Sequence, residues 1–184
     1  MFSCRRAAVR FSNRKATFTS STARRAPFGD TTFAPRNSAW QADLRASFAK
    51  QTFMKHLGAQ LIHAEPGKVD IMLQAAPTLM QQHGYFHAGV TTSIADSAAG
   101  YAAYTLMEPG AGVLTTELKV NLLAPAQGDQ LVASGRVVKA GKTLTICRAD
   151  VYGLTDGDDG EQGGGGATHV ATMLLTTMQI PGAG

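Results

Sequence analysis

The chain has 184 residues, enough for one domain with a substantial core. Its formal charge of +4 is unevenly placed. Residues 1–36 carry eight basic side chains against Asp30 alone, a net of +7, while the remainder carries nine basic against twelve acidic, a net of −3. The basicity therefore belongs to the leader, and a nucleic-acid reading loses its main support. No stretch approaches the roughly 18 consecutive apolar residues of a membrane-spanning helix.

The leader is rich in Arg, Ser, Thr and Ala, with no acidic residue before Asp30. Arg6, Arg10 and Arg14 share one face of a possible helix, and Met1, Phe2, Val9 and Phe11 supply an apolar side. This is the composition of an organelle transit peptide, so a mitochondrial location is expected, with the cytoplasm as the alternative. Residues 1–36 are thus set apart as leader and linker, and 37–184 as the folded domain.

In the folded part, Trp40, Leu44, Phe48 and Met54 recur near helical spacing and predict one amphipathic helix over 39–56, ending near Gly58. Leu57–Ala64 and Lys68–Gln74 read as strands around a Glu65-Pro66-Gly67 turn. From Ala88 to about Met107 runs a long segment of small side chains, read as one helix stopped by Pro109-Gly110 and suited to close burial against a sheet. Alternation then predicts strands over 114–122, 130–140 and 143–153, the last two joined at Gly141-Lys142, and a final strand over 167–180. Residues 154–166 form a Gly- and Asp-rich loop that lacks the Lys and following helix of a phosphate cradle. The order predicts an α+β fold, an antiparallel sheet curled around one long helix.

Two cysteines make no disulfide framework: Cys4 lies in the leader and Cys147 in an alternating strand. The five histidines show no zinc spacing. The chemistry concentrates in Gln81–Asp96, which holds an amide, His83, His87, a turn and one carboxylate among small apolar neighbours. If the helix starts near Ala88, His87 and Asp96 lie roughly two and a half turns and about 13.5 Å apart, on opposite faces. They cannot meet within one chain, so a site using both requires a second subunit. Backbone N–H groups at Ala88 and Gly89, at the helix start, suit a developing negative charge on a carbonyl oxygen. Asp96 can serve as base on water or as nucleophile, with Gln81 holding the water or the carboxylate.

Gln81, His87-Ala88-Gly89 and Asp96, followed by Leu114–Ala126 and Gly141–Leu144, resemble the hotdog-fold acyl-CoA thioesterases of the PaaI-like branch. The resemblance covers roughly residues 50–180. It implies a hotdog domain over 37–184 and hydrolysis of an acyl-CoA to a carboxylic acid and CoA. It also implies that Asp96 is base or nucleophile, Gln81 the polar amide, His87 the helix-start histidine, Ala88 the donor to the thioester carbonyl, and Thr115 the residue that helps place water. Gly89, Asn121, Pro125 and Lys142 are the implied substrate contacts. No cofactor is implied, since CoA is part of the substrate, and the partner is a second copy in a homodimer or homotetramer. Many members read His-Gly-Gly where this chain has His87-Ala88-Gly89. Other readings of the residues stay open: Asp96 as a structural hydrogen-bonder, His87 as a loop cap, Thr115 as a core threonine, and Tyr85 and Phe86 as pocket or interface. So do two other functions, a hotdog enoyl-CoA hydratase or dehydratase and a non-catalytic acyl-CoA binding module.

Overall fold

The computed structural model describes residues 32–155 and 166–182. The leader through residue 31 and most of the Gly-rich loop, residues 156–165, lie outside the described residues. The elements are α1 (Trp40–Lys50), α2 (Thr52–Leu57), β1 (Gln60–Glu65), β2 (Lys68–Gln74), a short 3-10 turn (Pro77–Leu79), α3 (Ala88–Tyr104), β3 (Gly112–Leu122), β4 (Gln130–Ala140), β5 (Leu144–Leu154) and β6 (Ala167–Ile180). The six strands form one antiparallel sheet in the order β1-β2-β4-β5-β6-β3. The α+β reading and its long central helix are borne out.

Alternation decides which strand face meets the helix. Val69, Ile71 and Leu73 of β2, Leu131, Ala133 and Val137 of β4, and Cys147, Ala149 and Val151 of β5 are buried. Against them α3 sets Ile94, Ala95, Ala98, Ala99, Ala102 and Ala103. The small side chains bring helix and sheet backbones close together. One such close approach is at Gly135, where a Cβ would overlap the Ala98–Ala99 backbone. Burial pushes the Cys147 thiol up to about 12, against a weaker opposing hydrogen bond with the Ala103 backbone. It is a core residue and not a nucleophile.

On the outer face, Asp150 lies between Arg136 at 2.5 Å and Arg148 at 2.9 Å. Burial alone would raise its carboxyl, but hydrogen bonds from Arg148, Thr172 and Arg136 outweigh that and hold it below the ordinary carboxylate value. His169 stacks on Tyr152 at 4.8 Å and serves this face.

Beyond shifts of one or two residues, three boundaries differ from the sequence expectation. The helix expected over 39–56 is two helices. Gln51 leaves the helical region at φ −73°, ψ 93°, ending α1 and starting α2. Its side-chain amide donates to the Tyr101 hydroxyl at 2.9 Å, a tertiary bond that holds the bend. Gly58 then ends α2 in the left-handed conformation at φ +70°, so β1 starts at Gln60. The central helix closes at Tyr104 rather than near Met107, and turns lead on to Pro109-Gly110.

Candidate active site

The segment before α3 is folded by its own backbone. Gln81 N–H donates to Tyr85 O at 2.8 Å and Gly84 N–H to Gln81 O at 3.0 Å, with Gly84 at φ +82°. The His83 N–H donates to Gln81 Oε1. Phe86 is buried and His87 N–H donates to Leu79 O at 2.9 Å, which fixes where the helix begins.

His87 is the N-cap of α3. Its Nδ1 accepts the Gly89 N–H at 2.9 Å, so Nδ1 carries no proton and Nε2 is the N–H side of the ring. A Cβ on Gly89 would stand 2.9 Å from that Nδ1, which is why glycine follows Ala88. This corrects the expectation of two free donors at the helix start: the ring of His87 takes the Gly89 N–H. Val90 and Thr91 donate to His87 O at 2.9 and 3.3 Å. Among the described residues, only the Ala88 N–H of this first turn is left without a partner. Gly89 supports the cap and lines neither the cleft at Ala88 nor the one at Asp96.

Ala88, Gln81, Tyr85, Thr91, Leu123 and Pro125 line a cleft of about 470 Å³. Asp96 lies elsewhere. The neighbours that looked uncomfortable for a charge, Ile94, Ala95, Ala98 and Ala99, turn into the core, while Asp96 and Ser97 are half-exposed on another face. Asp96 Oδ1 accepts the Thr115 hydroxyl at 2.7 Å. Thr115 reaches it from β3 beside a register shift that separates Thr115 from Glu117. Asp96 and Thr115 line a second cleft of about 310 Å³ with Gln51, Phe53, Gly100 and Tyr101.

Ala88 and Asp96, expected to serve one reaction, thus lie in separate clefts of one chain. Asn121 and Lys142 join neither. Asn121 Oδ1 accepts from Lys119 Nζ at 2.8 Å on exposed β3, and Lys142 is exposed in the turn between β4 and β5. The sequence reading missed the wall of the Asp96 cleft. Gln51, Phe53 and Tyr101 carry no catalytic pattern, and only Gly100, a glycine inside an alanine-rich helix, offered a signal.

A long helix capped by histidine and packed on a six-stranded antiparallel sheet defines a hotdog fold. A family model described as the thioesterase superfamily matches residues 83–158, which include His87, Asp96 and Thr115. The crystal structure of a thioesterase family protein from Silicibacter pomeroyi is 41% identical, covers 78% of this chain and 99% of its own, and superposes with a TM-score of 0.72. The 1,4-dihydroxy-2-naphthoyl-CoA hydrolase of Listeria monocytogenes is 29% identical over 100 residues, 54% of this chain and 81% of that protein. The E. coli PaaI protein shares the fold, with a TM-score of 0.66 at 22% identity over 81% of this chain and 98% of its own. The chain belongs to the thioesterase superfamily.

Proposed function

We propose that this protein is an acyl-CoA thioesterase whose active site forms between two copies of the chain, Asp96 of one facing Ala88 of the other. The observation that carries this is the pairing of an oriented carboxylate in one cleft with an unpartnered helix-start N–H in a different one. Each half lacks the other, and α3 sets them too far apart to meet within a chain. The partner copy also has a surface to cover. Edge strand β3 exposes Leu118 at 41% and Leu122 at 56%, and both lie on the face that carries Thr115. A homodimer or homotetramer meets both needs.

The chemistry follows from the two halves. Asp96 Oδ2 takes a proton from water, and the water oxygen forms a bond to the thioester carbonyl carbon. The Ala88 N–H, at the positive end of α3, receives the oxyanion. Collapse breaks the C–S bond, and the proton held by Asp96 passes to the CoA sulfur. R–CO–S–CoA and water give R–COOH and CoA–SH. If Oδ2 attacks the carbonyl itself, a mixed anhydride forms and water then cleaves it, with the same sum. Thr115 fixes the carboxylate in either route. Gln81, beside Ala88, contacts the substrate or water, while the extended Leu123–Pro125 segment flanks the path of the CoA arm. Hydration of a carbon–carbon double bond is less well served, because His87 is committed through Nδ1 to the Gly89 N–H.

The test is Asp96→Asn. Thiol release from acyl-CoA should fall by about 10²–10⁴, the usual worth of a positioned base, while the melting temperature stays unchanged. Wild-type turnover in this variant overturns the mechanism. Stoichiometric binding of acyl-CoA by the wild type with no thiol released makes the chain a binding module.

A further inference from the structure

The helix that carries Asp96 contains a glycine that the fold of this chain does not require. Gly100 sits inside α3 among Ala98, Ala99, Ala102 and Ala103, where glycine is a poorer helix former than alanine. Nothing forces it by packing, since a Cβ built there meets no atom within 4 Å outside the nearby helix backbone. Two other glycines show what a packing requirement looks like: at Gly135 the added atom would overlap the backbone of α3, and at Gly89 it would press on the His87 ring. The open space at Gly100 belongs to the second cleft, which Gly100 lines together with Asp96. At four residues' spacing the two share one face of the helix.

We infer that Gly100 sets the size of acyl group the enzyme accepts. This rests on the reading that Asp96 acts at the thioester. With the carbonyl carbon beside Asp96, the acyl tail passes over Gly100 and ends against the apolar wall of Phe53, Met54 and Tyr101. Gln51 sits at that wall with its amide turned to the Tyr101 hydroxyl, which also lies 3.2 Å from Ser47 Oγ, so the floor is held from two sides. One chain's part of this cleft has about 310 Å³, the space of about ten groups of water size, and the partner copy closes it. Acyl-CoAs with a linear tail of up to about ten carbons or a single ring are therefore favoured over long-chain ones.

The experiment compares the full-length wild type with Gly100→Ala and Gly100→Leu on a saturated series from acetyl-CoA to palmitoyl-CoA. It reads thiol release, melting temperature and elution volume. The wild type should lose efficiency beyond about ten carbons. In Gly100→Ala the ratio of kcat/KM for octanoyl-CoA to that for acetyl-CoA should fall at least tenfold, with a melting temperature equal to or above wild type. Gly100→Leu should move the cut-off shorter still. Equal wild-type efficiency on palmitoyl- and octanoyl-CoA overturns the inference, as does an unchanged ratio in both variants. A uniform fall across the series with a shifted elution volume also overturns it, and makes Gly100 a subunit-packing residue. In those outcomes the thioesterase reading survives. Absence of thiol release by the wild type from every acyl-CoA removes that reading and this inference together.

Discussion

Ala88 occupies the first position of α3, where a backbone N–H has no partner inside the helix. It is also the position at which a helix tolerates proline, which removes that N–H and keeps helical φ. The residue before it suits the change, since His87 has φ −63° and ψ 137°, the conformation a following proline prefers. Ala88→Pro should therefore leave the melting temperature near wild type and lower kcat by about 10²–10³, the usual worth of one oxyanion donor. Steady-state kinetics beside a thermal melt checks this, and an unaltered kcat with an intact fold would remove Ala88 from the reaction. At this scale the sequence singles out Asp96, His87 and Ala88 by type and spacing, and Thr115 by resemblance to a family. It was less informative about which hydrogen bonds they make. Whether the Gly89 N–H is free depends on the rotamer of His87, and no spacing rule encodes a rotamer.

Between elements, α3 and the sheet touch through backbone. Gly135 of β4 stands against the Ala98–Ala99 backbone, so a methyl group has nowhere to go. Gly135→Ala should destabilise the protein by about 1–3 kcal/mol, the range for overpacking a filled core, read as a lower urea midpoint with an unchanged slope. A variant as stable as wild type would show that the sheet can move away from the helix. Gly135 and Gly100 thus predict opposite stability responses to the same substitution. Most elements were legible because their periodicity is strong: alternation in β2, β4 and β5, and small residues without proline in α3. The break between α1 and α2 was not. It contains neither glycine nor proline and depends on Gln51 reaching Tyr101, fifty residues later. Such a contact exists only once the helices have packed.

For the molecule as a whole, the proposed two-chain site makes a prediction that no single-chain site makes. Asp96→Asn and Ala88→Pro should each be nearly inactive alone. Co-expressed in equal amounts, half the dimers combine one of each, and one of their two sites receives both intact halves. About a quarter of wild-type activity should return. Mixtures no more active than either parent would place the whole site within one chain. The separation of His87 and Asp96 on α3, which leads to this proposal, was legible from the sequence. The exposed apolar face of β3 was not, because an alternating strand reads the same whether it is covered by its own chain or by another.

The burial of Cys147 has a practical consequence for all these measurements. Its thiol is pushed up to about 12 and packed between α3 and the sheet, so at neutral pH it is protonated and shielded from a thiol reagent. Native protein should draw no colour through this cysteine, and the sulfur released as CoA is read over a silent core. Once the fold opens, the same reagent gains one reactive sulfur per chain from Cys147. With Cys4 replaced by serine, a slope that needs substrate then reports catalysis, and a step that appears without substrate reports unfolding, so one cuvette separates a poor catalyst from a poor fold.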